Sequence, residues 1–362
     1  MGAYQNYKTM HAKKVVFDEF QLESGLILKN VEVAFHTFGD LNQAENNVVW
    51  ICHALTANSN PYDWWPNVCG ENGFFNEKEH FIVCANILGS CYGTTGPLSK
   101  DENGDTYYDY FPLITTRDMA RLHEKLRQYL EINQIYVLIG ASLGGQQALE
   151  WSIENPSLFE HLILIATNAK HAPYGIAFNE SQRLAIKADS TYGKKNKDAG
   201  KAGLIAARSI ALLSYRSYAG YFLSQREEND EVLTNFKASS YQKYQGIKLA
   251  RRFNAYSYVL LSHAMDSHNV GRSRNGIENA LAQIKAKTLI VGITSDILFP
   301  LDEQKKLFYH IPNSKLKTIK SAYGHDGFLI EHESLITNFK TFLSNQSKKI
   351  KGVKLKESLF KA

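Results

Sequence analysis

Ser142 stands in Gly140-Ala141-Ser142-Leu143-Gly144, between the apolar run IYVLIG and the helix-forming stretch QQALEW. This is the G-x-S-x-G pattern of a serine held on a tight corner between a strand and a helix. Flanking glycines avoid clashes there, and the hydroxyl projects above the sheet beside a helix N-terminus. A serine hydroxyl is a weak nucleophile at neutral pH, so it needs a base, and the base needs an orienting acid. In KTLIVGITSDILFP, Asp296 lies just beyond an apolar run, and in LKTIKSAYGHDGFLIEH, His325 lies on a loop after the next candidate strand. Acid and histidine thus follow the serine in the chain order expected of this corner. Asp302 is a competing acid further along, on a predicted helix. The spacing predicts a triad of Ser142, Asp296 and His325.

Attack by such a serine builds a tetrahedral oxyanion that needs donors. The backbone N–H of Leu143, directly after the nucleophile, is one candidate, and the N–H of Leu55 in ICHALTAN, after an early strand, is the other. His53 in that loop reads as a structural hydrogen-bonding residue rather than a base. Cys91 in NILGSCYGTTGP reads as a packing residue.

These residues need elements to position them. NNVVWICHAL, HFIVCANIL, IYVLIG and EHLILIAT are dense apolar runs, expected of strands buried on both faces. TTRDMARLHEKLRQYLEI and LGGQQALEWSIENP carry helical spacing between them. Alternation of this kind predicts an α/β fold with a mostly parallel, doubly wound sheet. KKVVFDEFQLESGLILKNVEVAFHTFG reads as a hairpin or meander, split at Ser24-Gly25 and Lys29-Asn30. From about residue 169 to 285 the pattern is helical, including NDEVLTNFKASSYQKYQGIKLA, before strands return. The expected organisation is a core of residues 1–168 and 286–346, a helical lid insertion at 169–285, and a basic tail at 347–362. An insertion placed there lies over the strand ends, where ligands bind in such sheets.

Composition narrows the function classes. A hydrophobic fraction of 44% in 362 residues suits a sizeable core. The net charge of +5 is partly concentrated in the lysine-rich tail, and no nucleic-acid recognition motif accompanies it. The cysteines Cys52, Cys69, Cys84 and Cys91 match no zinc or C-x-x-C spacing, so free thiols and no metal site are expected. The first residues lack the apolar core of a signal peptide, and no apolar run could span a bilayer. A cytoplasmic location without membrane or nucleic-acid partners is the expectation.

HALT, the Trp64-Trp65 pair, NILGSCYGTTGP, FPLITTRDMARLHEKL, GASLGGQQALEW, IAFNESQRLAIKAD, SDILFP and GHDGFLIEHE occur in order between about residues 14 and 345. Together they resemble the homoserine O-acetyltransferase family of α/β-hydrolase-fold acyltransferases. The resemblance implies ping-pong transfer of an acetyl group from acetyl-CoA to L-homoserine through acetyl-Ser142, in methionine biosynthesis, with no cofactor beyond the acetyl-CoA substrate. It also implies a homodimer formed through the helical insertion, and it assigns substrate contacts to Arg208, Tyr215 and Asp326. Arg208 and Tyr215 lie seven residues apart on one predicted helix face. By its own chemistry, Arg208 in an apolar stretch is either a ligand for a carboxylate or half of an internal ion pair. Tyr215 reads as a contact or as core, and Asp326 as a ligand or a loop cap. The family often has Gly-Ser-Met at the nucleophile and GGCYGSTGP in the neighbouring loop. This chain has Ala141-Ser142-Leu143, with Ser90 and Thr94 in the loop. Succinyl-CoA as donor, serine as acceptor, and water as acceptor in an esterase remain the alternatives.

Overall fold

The computed structural model describes residues 11–344, so the lysine-rich segment 347–362 lies outside the described residues. A single eight-stranded sheet runs in the order β1-β2-β4-β3-β5-β6-β7-β8. Its strands are β1 (Lys13–Gln21), β2 (Ile27–Phe38), β3 (Val48–Cys52), β4 (Phe81–Ala85), β5 (Ile135–Ala141), β6 (Phe159–Ile165), β7 (Lys287–Ile293) and β8 (Ser314–Ile319). β1 pairs antiparallel with β2, and β2 with β4, while β4 to β8 are mutually parallel. The hairpin turns where expected, with Gly25 at φ 89°. It does not break at Lys29-Asn30, because β2 continues in register through both residues, with Asn30 at φ 50°.

The strands β3, β5, β6 and β7 are dense in buried apolar residues because both faces are covered, with polar residues confined to their first few positions. Trp50 and Leu138 pack on one side, and Val49, Ile51, Val137 and Ile139 on the other. Helices α1 (Pro61–Trp64), α2 (Thr116–Tyr129) and α3 (Leu143–Glu154) follow β3, β4 and β5. Thr115 and Asp118 close a reciprocal capping box at the start of α2, as the sequence there suggests. At the far edge, β8 alternates lysines with apolar residues, a common protection against edge pairing.

Between β6 and β7 lie α4 (Pro173–Lys187), α5 (Lys201–Tyr215), α6 (Tyr218–Gln225), α7 (Lys237–Ala250), α8 (Ala255–Asp266) and the short α9 (Ile277–Leu281). The helix expected from residue 229 begins only at Lys237. The Asn229 side chain instead accepts from the Glu231 N–H, and Asn235 adopts φ 59°, so local turn chemistry wins there. After β7 come α10 (Leu301–His310), α11 (Gly327–Ile330) and α12 (His332–Ser344). Among the described residues, no helix is long and apolar enough to cross a membrane.

A buried ion network ties the hairpin, α2, α3 and the segment after α8 together. Arg117 meets Glu23 at 2.7 Å and Glu150 at 3.1 Å. Arg272 meets Glu23 at 2.8 Å, and Arg274 meets Glu150 at 2.6 Å. Burial alone would raise the Glu23 carboxyl, but hydrogen bonds from Arg272 and Thr115 and the charges of Arg117 and Arg272 outweigh it, holding it at about 2. A depressed folded-state value means that the stabilisation is complete above the ordinary value of 4.5 and is lost as pH falls toward 2. Chemical denaturation between neutral pH and pH 2 should therefore show a falling limb in this window, and Glu23→Gln should flatten that limb while lowering stability at pH 7. An unchanged limb in the variant would place the acid sensitivity elsewhere.

Candidate active site

β5 ends at Ala141 and α3 begins at Leu143, so Ser142 alone makes the corner, with φ 57° and ψ −127°. A non-glycine residue in this region stores on the order of 1–3 kcal/mol of strain, and the surroundings must hold it. They do so through backbone contacts. The Ser142 N–H donates to the Ile165 carbonyl at 3.0 Å, and its carbonyl accepts from Gly145 N–H and Thr167 Oγ1, both at 2.9 Å. α3 also crosses β3 too closely for side chains at the contact. A Cβ on Gly144 would lie 2.0 Å from the Cys52 carbonyl oxygen, and one on Gly140 would lie 2.2 Å from that of Gly144.

Asp296 follows β7 by a few residues and is almost fully buried. Its Oδ1 accepts from the N–H groups of Leu298 and Phe299 at 2.8 and 2.9 Å. Its Oδ2 pairs with His325 Nδ1 at 2.7 Å. The carboxylate is acceptor-only when ionised, so Nδ1 carries the proton and Nε2 is left as the basic nitrogen. The His325 ring stacks on Phe299 at 5.0 Å and meets Phe328 edge-on at 5.3 Å. It sits in a 3-10 turn, Gly324–Asp326, whose first N–H donates to Ser295 Oγ at 2.9 Å. Asp302, the competing acid, lies on α10 and pairs with Lys305 at 2.9 Å, outside this cluster.

Ser142 and His325 line one cavity of about 360 Å³, together with Leu55, Arg208, Tyr215 and Asp326. Among the described residues, the N–H groups of Leu55 and Leu143 have no protein acceptor. The second of these is the first amide of α3, an end that leaves its leading N–H groups unsatisfied. His53 is not part of the cavity lining. Its Nδ1 donates to the Ala54 carbonyl at 2.9 Å, its Nε2 accepts from the Ile87 N–H at 3.2 Å, and burial lowers its pKa to about 4. It therefore stays neutral and bridges the ends of β3 and β4, a structural role.

Arg208 meets no carboxylate within ion-pair distance among the described residues. Its guanidinium lies 5.3 Å from the centroid of the Tyr215 ring, which stands 5.8 Å from His325. Burial raises the Tyr215 phenol, keeping it a neutral hydroxyl at ordinary pH. Asp326 is paired instead with Arg216 at 2.7 Å. Arg216 is absent from the sequence-level candidates because it lies beyond the end of α5, out of phase with the Arg208–Tyr215 face. Arg252, at the cavity rim, was likewise not legible; it donates to the Thr56 carbonyl and the Tyr92 hydroxyl. The loop NILGSCYGTTGP turns its threonine hydroxyls toward β2. Thr94 Oγ1 accepts from the Ala34 N–H at 3.0 Å and Thr95 Oγ1 from the Glu32 N–H at 2.8 Å, so this loop braces β2. Cys91 contacts the Arg252 carbonyl through sulfur, and burial pushes its thiol up to about 12. No cluster of three or more His, Cys, Asp or Glu side chains among the described residues could hold a metal ion.

A serine on a strained corner, a carboxylate-oriented histidine and two free amides can carry acyl transfer through a covalent intermediate. Comparison with known proteins bears on the same point. Residues 47–331 match the family model for the alpha/beta hydrolase fold. A homoserine O-acetyltransferase of Cyclobacterium marinum is 49% identical over 326 residues, which are 90% of this chain and 93% of that protein. The crystal structure of a homoserine O-acetyltransferase from Bacillus anthracis superposes with a TM-score of 0.84 at 22% identity, covering 92% of this chain and 97% of that one. An acetylester hydrolase from Corynebacterium glutamicum superposes with a TM-score of 0.81 at 20% identity, covering 92% of this chain and 96% of that one. At such identities the superpositions establish the fold alone.

The corner itself makes a prediction. Gly144→Ala drives a methyl into the Cys52 carbonyl, and relief requires α3 to move off β3. Overpacking of this kind costs about 1–3 kcal/mol or more. Urea denaturation should show at least that loss, and labelling of Ser142 by an organophosphonate should fall steeply. A stable variant with unchanged labelling would contradict the packing described.

Proposed function

The chain belongs to the homoserine O-acetyltransferase family of the α/β-hydrolase fold, and we propose that its O-acyl transfer runs through Ser142, His325 and Asp296. In this reading the donor is acetyl-CoA and the acceptor is L-homoserine. His325 Nε2 takes the Ser142 proton as Oγ attacks the thioester carbonyl. The N–H groups of Leu143 and Leu55 receive the oxyanion, where preorganised donors in a dry site are worth several kcal/mol. Collapse expels CoA, whose thiolate takes the proton from His325, and leaves acetyl-Ser142. The homoserine hydroxyl then gives its proton to His325 and attacks the acetyl carbonyl. Collapse returns the proton to Ser142 Oγ and releases O-acetylhomoserine. Asp296 keeps the imidazole in the Nδ1–H tautomer and stabilises its charged form. No metal or prosthetic group takes part in these steps.

The observation that carries transfer rather than hydrolysis is Arg208. It is a cation in the cavity wall with no carboxylate partner among the described residues, beside Ser142 and His325. Water needs no such group, whereas the carboxylate of an amino acid does. Asp326 supplies the opposite charge for the ammonium, and Tyr215 closes the wall between Arg208 and His325. Residues 169–285 act as the lid that keeps water from the acyl-enzyme. A biosynthetic enzyme using acetyl-CoA, with free Cys52, Cys69, Cys84 and Cys91, fits the cytoplasm.

Trapping tests the reaction. Incubation with acetyl-CoA should release free thiol and add one acetyl group to the peptide containing Ser142, and Ser142→Ala should do neither. Homoserine should clear the adduct fastest. Clearance by water alone would make the protein an esterase, clearance by serine a different transferase, and an adduct only from succinyl-CoA would change the donor. Arg208→Ala should raise the homoserine KM about 10- to 100-fold, the worth of a charged hydrogen bond.

The helical segment also exposes apolar side chains. Leu213, Tyr218, Phe222, Leu223 and Tyr244 are all more than half exposed on α5, α6 and α7. This face supports a homodimer, since apolar patches of this kind are covered in stable assemblies. Light scattering at micromolar concentration should give twice the chain mass of 40.9 kDa, and Leu223→Asp should shift it to the single-chain mass. A parent protein of single-chain mass would overturn the dimer.

A further inference from the structure

Asp326 follows His325 in the 3-10 turn and lines the cavity. Its Oδ2 accepts from Arg216 Nε at 2.7 Å, while Oδ1 has no hydrogen-bond partner among the described residues. Arg216 is itself firmly held. It closes α5 in extended conformation, and its N–H donates to the Leu212 carbonyl at 3.0 Å. Ser217 then opens α6, accepting from the Gly220 N–H at 3.0 Å and donating to the Ala322 carbonyl. The corner between α5 and α6 touches the histidine turn backbone to backbone. A Cβ on Gly324 would lie 2.9 Å from both the Tyr215 carbonyl oxygen and the Ser217 nitrogen, and one on Gly220 would lie 2.8 Å from the Ala322 carbonyl oxygen. The Arg216 guanidinium also lies 5.7 Å from the Tyr241 ring centroid on α7, and Tyr221 meets that ring edge-on at 6.1 Å.

Two cavity-lining residues are thus in different states: among the described residues Arg208 meets no carboxylate, while the Asp326 carboxylate is held by Arg216, which is itself not part of the lining. We propose that Arg216 is a positioning residue for the amino group of the acceptor. It holds the Asp326 carboxylate in one orientation by engaging Oδ2, which leaves Oδ1 to receive the ammonium of a zwitterionic α-amino acid. This rests on the reading of Asp326 as the ammonium ligand. Two effects oppose each other. A second cation near Asp326 weakens its pull on the ammonium, and fixing the carboxylate beforehand removes the cost of ordering it on binding. The Arg216 and Asp326 side chains are only 23% and 12% exposed, so solvent screens the first effect weakly, and a positioning role requires the second to outweigh it. A lysine in place of Arg216 keeps the charge but lacks the planar fork and the stacking on Tyr241.

The test compares Arg216→Leu, Arg216→Lys and Asp326→Asn in the full chain, measuring CoA release from acetyl-CoA without acceptor, steady-state transfer to homoserine, and thermal unfolding. The expected result is a homoserine KM raised about fivefold or more in Arg216→Leu, with Arg216→Lys between it and the parent. Acylation should stay within about threefold of the parent in both. A KM that falls in Arg216→Leu would show that Arg216 competes with the ammonium, and an unchanged KM that it does nothing for the acceptor; either overturns the proposal. Equal losses in acylation and transfer, with a lowered unfolding temperature, would mean a bracing role only and overturn it too. Arg216→Lys decides the matter alone if Arg216→Leu fails to fold. A normal homoserine KM in Asp326→Asn would instead overturn the ammonium reading on which this rests, and no CoA release from the parent would overturn the transferase mechanism itself.

Discussion

The close approach of α3 to the end of β3 is the constraint on which the rest depends. It exists only because Gly144 has no side chain to meet the Cys52 carbonyl oxygen, 2.0 Å from where a Cβ would sit. That contact lets the chain reverse at a single residue, and Ser142 takes the strain. The position of the hydroxyl is thus set by backbone packing among β3, β5 and β6 rather than by hydrogen bonds of its own. The same reversal brings the N–H of Leu143 to the corner and the turn after β3 to its side. The placement of the Ser142 hydroxyl and of the Leu143 and Leu55 amides beside it follows from one steric fact.

The histidine is held by a different kind of interaction. Asp296 uses one carboxylate oxygen on two backbone N–H groups and the other on His325. The first pair of bonds fixes the carboxylate, and the fixed carboxylate fixes the imidazole tautomer. Phe299 and Phe328 then wrap the ring in apolar surface, where charged hydrogen bonds are stronger than in water. Charges deeper in the fold follow the same economy: each buried arginine near α2 and α3 has a carboxylate partner, and Glu150, fully buried, has two. Against that background Arg208 stands out. A guanidinium on a cavity wall with no carboxylate among the described residues is costly unless a ligand completes it.

The helical segment is joined to the sheet by polar bridges as well as by packing. Neutral His268 accepts from Thr116 Oγ1 at Nδ1 and donates from Nε2 to the Asn168 carbonyl, linking the end of α8 to the start of α2. Arg183 on α4 meets Asp266 at the end of α8 at 2.6 Å. At the opposite end, the corner between α5 and α6 presses on the turn that carries His325 and Asp326. The helical segment and the turn that carries His325 therefore share a backbone contact, and a change in one is felt in the other.

The sequence by itself determined the sheet and the order of Ser142, Asp296 and His325 along the chain. Dense apolar runs alternating with amphipathic stretches specify a parallel sheet, because only strands covered on both faces can be apolar throughout. The glycines around Ser142 and the positions of Asp296 and His325 after late strands were legible because strand ends put chemistry in predictable places. Sequence patterning could not say which charges are free. Arg208 as ligand or internal ion pair, and Asp326 as ligand or cap, could not be separated along the chain alone, since a partner over a hundred residues away leaves no local trace. Only the tertiary structure paired Asp326 with Arg216, left Arg208 without a carboxylate among the described residues, and turned the hydroxyls of Thr94 and Thr95 to β2. Periodicity is a local property of the backbone, whereas the pairing of charges depends on which distant segments the fold brings within a few ångströms.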